Sequence, residues 1–109
     1  MSTAGATPES LAARALLESR RDDFDRLLSK YSASNPRLFG SVARGTATAD
    51  SDIDILVEMD PEDGNLMMRA SGLMEETREL FGREDIDIFP LQLLKQRVSD
   101  SALAEAAPL

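Results

Sequence analysis

The sequence predicts a small α/β (α+β) fold, a mixed β-sheet flanked by helices, and three observations point there. Two short stretches, residues 52–60 and 84–89, alternate apolar and polar side chains with the period of a strand. The longer segments around them carry leucines, methionines and phenylalanines three and four apart, the spacing of one helix face. The length, 109 residues, suits one core that buries roughly two thirds of the surface an unfolded chain exposes. Residues 7–109 are therefore read as a single domain, with 1–6 as a flexible N-terminus.

Thr7-Pro8-Glu9 has the chemistry of a helix start, a hydroxyl to cap the free N–H groups and a proline at the tolerated first position. Leu11, Leu16, Leu17, Phe24, Leu27, Leu28 and Tyr31 then predict one long helix ending near Tyr31. The polar run 32–36 ends in proline, so an extended segment at Arg37-Leu38-Phe39 follows. Residues 40–51, rich in Gly, Ser, Thr and Ala, read as a connection too small and polar to build core, and as the functional loop.

The strand at 52–60 puts Ile53, Ile55, Val57 and Met59 on one face and Asp52, Asp54, Leu56, Glu58 and Asp60 on the other. Pro61-Glu62-Asp63-Gly64 supplies a turn, and Leu66, Met67, Ala70, Leu73, Met74, Leu80 and Phe81 a second amphipathic helix capped by Gly82. In the next strand Ile86 and Ile88 face away from Asp85, Asp87 and Phe89, and a last helix is expected over 91–107, with Leu94, Val98 and Ala102 inward. The methionines at 67, 68 and 74 read as core and partner-facing packing. Tyr31 reads as a helix-end core residue with a wet hydroxyl, and Arg20 to Asp23 as a solvated helix face.

Composition removes several function classes. There is neither cysteine nor histidine, so any metal must be held by oxygen, which selects hard ions such as magnesium, manganese or calcium. A formal charge of −8 opposes an unaided grip on a phosphate backbone and favours basic partners or cations; direct nucleic-acid binding is not expected. MSTAGATPES lacks the basic start and apolar run of a signal peptide, and no stretch approaches the ~20 apolar residues that span a bilayer. The expectation is a cytoplasmic protein without membrane contact.

The same tetrapeptide, Asp-Ile-Asp-Ile, occurs at 52–55 and again at 85–88. Acids inside strands need compensation, because an unpaired buried carboxylate is costly. Asp52 and Asp54 point the same way with Cα atoms about 6.6 Å apart, suited to shared divalent ions that bind phosphate oxygens and stabilise displacement at phosphorus. A third carboxylate from the second tetrapeptide, Asp85 or Asp87, would complete such a set. Gly40-Ser41 offers close backbone approach and a hydroxyl to cap a short helix facing an anion, with Arg44 one turn along to contact phosphate or brace the acids.

Gly40-Ser41, ten intervening residues, and Asp52-x-Asp54 resemble the signature of the polymerase-β-type nucleotidyltransferase superfamily. More closely, LFGSVARGTATADSDIDILVE, LFGREDIDIFPLQLL and the closing EAAPL resemble the minimal nucleotidyltransferase (MNT) proteins that pair with HEPN proteins as toxin–antitoxin modules. The resemblance implies a polymerase-β-like core, Asp52, Asp54 and Asp87 as catalytic and metal-binding residues, and Gly40, Ser41 and Arg44 as nucleotide-binding. Family members carry an apolar-Asp-apolar-apolar strand, matched by Ile86-Asp87-Ile88-Phe89, which selects Asp87 over Asp85 and makes it the candidate general base. It further implies Mg²⁺, as two ions, with ATP as substrate, and AMP transfer to a tyrosine of a partner HEPN ribonuclease toxin that is thereby neutralised. Two readings compete: an antitoxin acting by complex formation without catalysis, and a toxin that nucleotidylates tRNA ends.

Overall fold

The computed structural model describes residues 6–60, 62, 64–91 and 107–109. Its elements run α1 (Pro8–Ser19), α2 (Arg21–Lys30), β1 (Ala33–Phe39), α3 (Gly40–Arg44), β2 (Ile53–Met59), α4 (Leu66–Phe81), β3 (Ile86–Pro90) and β4 (Ala107–Pro108). Among the described residues these strands form one mixed sheet in the order β3-β2-β1-β4, with β2 parallel to β3 and antiparallel to β1, and β4 antiparallel to β1. The return from β2 to a parallel β3 needs a crossover, and α4 supplies it.

Where one long first helix was expected, the chain leaves helical geometry at Arg20 (φ −126°, ψ 30°) and starts a second helix. The buried positions Ala13, Leu17, Phe24 and Leu28 keep helical spacing across the break, so the apolar pattern does not mark it. The reason is tertiary: α1 packs on α3, whereas α2 packs on α4 and β1. Arg20 and Asp23 pair across the junction and Arg21 pairs with Asp25, the solvated face the sequence suggests.

The strand after α2 begins at Ala33, earlier than expected, because a bulge between Ser34 and Arg37 accommodates Asn35 and Pro36. In β2, Ile53, Ile55, Val57 and Met59 enter the main core with Phe24, Leu38, Leu73 and Phe81. Leu56, on the acidic face, is also fully buried, but outside that cluster. Asn65 caps α4 through its side chain, and Gly82 closes it at φ 66°, in the left-handed region that glycine enters freely. Met67 and Met68 are 59% and 73% exposed, so of the three methionines only Met74 packs on the core. Tyr31 packs on the core too, but its hydroxyl is bonded to Glu76 of α4 rather than left to water.

The expected last helix lies largely outside the described residues, as do the 1–5 part of the expected flexible N-terminus and Pro61 and Asp63 of the turn. At its far end the helix expectation is corrected. Ala107 and Pro108 are a strand, with Ala107 opposite Leu38 and Pro108 opposite Arg37. No helix among the described residues is long and apolar enough to cross a membrane.

Candidate active site

The parallel pairing of β2 with β3 sets Asp54 directly opposite Asp87. Register partners on neighbouring strands point to the same side of the sheet, and the strands lie about 4.8 Å apart, so the two carboxylates are neighbours. Asp52 stands exposed just before β2, two residues from Asp54 and therefore on the same side. Across the other edge of β2, Asp54 pairs with Phe39, the last residue of β1.

That second pairing brings Gly40 against the site. Gly40 adopts φ 71°, and a Cβ built there would stand 2.6 Å from Asp54 Oδ2, a separation no methyl group tolerates. Glycine is thus required twice, for the left-handed backbone and for the space beside the carboxylate. The chain then turns into α3 and ends it at Arg44, with Gly45 left-handed at its C-cap. The residue preceding α3 is Phe39, which makes no side-chain cap, and Ser41 lies inside the first turn; the expected capping role of Ser41 is therefore corrected.

The expectation that residues 40–51 contribute nothing to the core is corrected as well: Val42 and Ala47 are buried in it. The loop is also stitched to the start of α1. Thr7 Oγ1 accepts from Ser10 N at 3.2 Å, the predicted cap, and donates to Ala47 O at 2.6 Å, while Thr7 N donates to Gly45 O at 3.0 Å. The buried Ser10 hydroxyl accepts from Ala47 N at 3.0 Å. A helix cap readable in the sequence thus also anchors the segment that follows Arg44.

Electrostatics single out Asp54. Its carboxyl is raised from the ordinary 3.8 to about 6, first by burial, then by the charges of Asp87 and Asp52, with Arg44 opposing. Arg44 therefore acts on the acids, one of the two roles its position allowed. Asp85 has a different fate. Arg83 donates Nε to Asp85 Oδ1 at 2.8 Å and pairs with Oδ2, and these bonds hold its carboxyl below the usual range. Asp85 is spent in a local ion pair, whereas Asp87 faces Asp54.

Asp87 has a partner that the sequence did not reveal. Arg78, in the last turn of α4, donates Nη2 to Asp87 Oδ1 at 2.8 Å and Nε to Ile86 O at 2.7 Å. By sequence Arg78 is an ordinary basic residue complementing a helix C-terminus, and only its place four after Met74, beside the apolar stripe, hints at a half-buried position.

Among the described residues no three acidic side chains are placed so that together they could hold a metal ion. The donors nevertheless fit a hard divalent cation: all are carboxylate oxygens, and a cation relieves the repulsion that raises Asp54.

The profile of the nucleotidyltransferase domain family matches residues 22–107, which include Gly40, Ser41, Arg44, Asp52, Asp54, Arg78 and Asp87. The chain belongs to the nucleotidyltransferase domain family. A Methanocaldococcus jannaschii protein described as a "putative protein adenylyltransferase" is 39% identical over 56 residues, 51% of this chain and 56% of that protein. The chain thus spans little more than half the length of that curated relative. A solved structure described as a "putative minimal nucleotidyltransferase" superposes with a TM-score of 0.69 at 35% identity, covering 85% of this chain and 92% of that one. The small mixed sheet with its helices is the minimal nucleotidyltransferase fold. Proteins of this family generally use a nucleotide substrate and a divalent metal.

Proposed function

We propose that this nucleotidyltransferase transfers AMP from ATP to a hydroxyl on a partner protein, with Asp52 and Asp54 as the metal-holding carboxylates and Asp87 as the general base. The acceptor oxygen bonds to the α-phosphorus, the bond from that phosphorus to the bridging oxygen breaks, and pyrophosphate leaves. The acceptor's proton passes to Asp87. Gly40 lets the backbone lie close to the triphosphate, with Ser41 and Arg44 as further contacts. Magnesium, as two ions, would supply charge neutralisation on the triphosphate when bound. The observation that carries this reading is the pairing of Asp54 with Asp87 across β2 and β3, beside a glycine whose missing Cβ leaves Asp54 Oδ2 open.

A protein acceptor is supported by the net charge of −8, which disfavours an RNA end, and by the relative's description as a protein adenylyltransferase. The resemblance to MNT proteins narrows the acceptor to a tyrosine of a HEPN ribonuclease toxin, with this chain as its antitoxin. The test incubates the chain with Mg²⁺, labelled ATP and either the protein encoded beside it or total RNA, alongside the Asp52→Asn/Asp54→Asn double variant. Label should enter the protein with the parent chain only. Label on RNA would transfer the assignment to tRNA-end modification, and neutralisation of the partner by an unlabelling variant would reduce the chain to an occluding antitoxin.

A further inference from the structure

Arg78 holds two acceptors at once, one on a side chain and one on the backbone of the strand that carries it. Its Nε bond to Ile86 O fixes the guanidinium to β3, and its Nη2 bond to Oδ1 ties Asp87 to that frame. Both side chains are about one third exposed, so the pair is neither a dry ion pair nor a loose surface contact. Arginine's planar fork suits this double task, and an ammonium, a single point charge, does not. One oxygen of Asp87 is thereby committed, which leaves Oδ2 for chemistry. Asp54 has no such committed oxygen among its described bonds and carries the repulsion of both acidic neighbours instead.

We propose that Arg78 is the positioning residue of the third carboxylate: it commits Asp87 Oδ1, so that Asp87 serves the acceptor's proton through Oδ2 while Asp52 and Asp54 do most of the ion and nucleotide binding. The inference rests on the nucleotidyl-transfer reading above and assigns a division of labour within it. Arg78 acts through Asp87 rather than on the substrate, and its removal frees a carboxylate that Asp54 repels.

Arg78→Met and Arg78→Lys, with Asp54→Asn as reference, are compared in two measurements. In AMP transfer to the acceptor protein, Arg78→Met should lower kcat by about 10²-fold, the scale of a catalytic group misplaced by about an ångström, with KM for ATP within about 2-fold. Arg78→Lys should recover only part of this, because it restores the charge and not the fork. In calorimetric binding of Mn²⁺ with a non-hydrolysable ATP, Arg78→Met should change the affinity by less than about 3-fold, whereas Asp54→Asn should lose at least about 30-fold. The binding arm reads out whatever the acceptor is. Affinity falling in Arg78→Met as far as in Asp54→Asn would make Arg78 part of the nucleotide site and overturn the proposal. So would full recovery by lysine, or a kcat within about 2-fold of the parent. Failure of the transfer reading is distinct: the parent itself would then label no protein.

Discussion

Asp54→Asn should abolish transfer and at the same time stabilise the fold. The Asp54 carboxyl is raised from 3.8 to about 6, a displacement of roughly two pH units, and about 1.36 kcal/mol per unit gives about 3 kcal/mol as the upper bound. Asp54 is only half-buried, and solvent screening reduces this to about 1 to 1.5 kcal/mol. The sign follows from proton counting. Between pH 4 and 6 the native state holds more protons at this site than the unfolded chain, so stability falls as pH rises through that window. Above it the cost is fully present. Asparagine removes the charge with little change in shape, so in urea at pH 7.5, with divalent ions chelated, the variant should gain about 1 kcal/mol, or about 4–8 °C in Tm for a domain of this size. At pH 5 the gain should shrink by about half. Adding Mg²⁺ with a non-hydrolysable ATP at about 100 times the parent's Kd should stabilise the parent by about 2.7 kcal/mol and the variant by no more than about 0.9 kcal/mol. A variant less stable than the parent at pH 7.5, or a gain equal at both pH values, would refute the account of Asp54 as a carboxylate raised by burial and by its neighbours.

Gly40→Ala should cost about 1–2 kcal/mol for the left-handed backbone alone, and the methyl group must displace the Asp54 carboxylate, so turnover should fall by about 10²-fold or more; urea midpoints and initial rates measure the two separately. Asp87→Asn should lose about 10²–10⁴-fold in kcat as a missing general base, while Asp85→Asn, which breaks only the pair with Arg83, should stay within about 3-fold of the parent in the same assay. Thr7→Ala removes the cap of α1 and the bond to Ala47 O, so it should lower stability by about 1–2 kcal/mol, and KM for ATP should rise as the segment after Arg44 loosens.

Much of this architecture was legible locally. The cap at Thr7, the left-handed stop at Gly82 and the alternation along β2 each depend on chemistry within a few residues, and each appears where the sequence put it. The break at Arg20 was invisible because the core positions on both sides keep one helical rhythm, and the two halves part only because they meet different neighbours. Asp87, between two isoleucines, and Asp85, after Glu84 at the start of the strand, already differ in the sequence, and the family pattern selects Asp87. Their partners came only from the structure, where Arg83 turns back onto Asp85 and β2 aligns Asp54 with Asp87.

By itself the sequence determined the character of the amphipathic helices and of the two alternating strands, the oxygen-only ligand chemistry and the pairing of a glycine-serine turn with two spaced aspartates, because these depend on residue identity and on periods of two and 3.6. Tertiary structure decided which carboxylates meet. Strand register, absent from any single segment, sets Asp54 opposite Asp87 and Phe39, and so brings Gly40 against the Asp54 carboxylate. It also brought Arg78 to Asp87: a helix end and a strand nine residues apart in sequence become hydrogen-bonded neighbours only once α4 packs on β3.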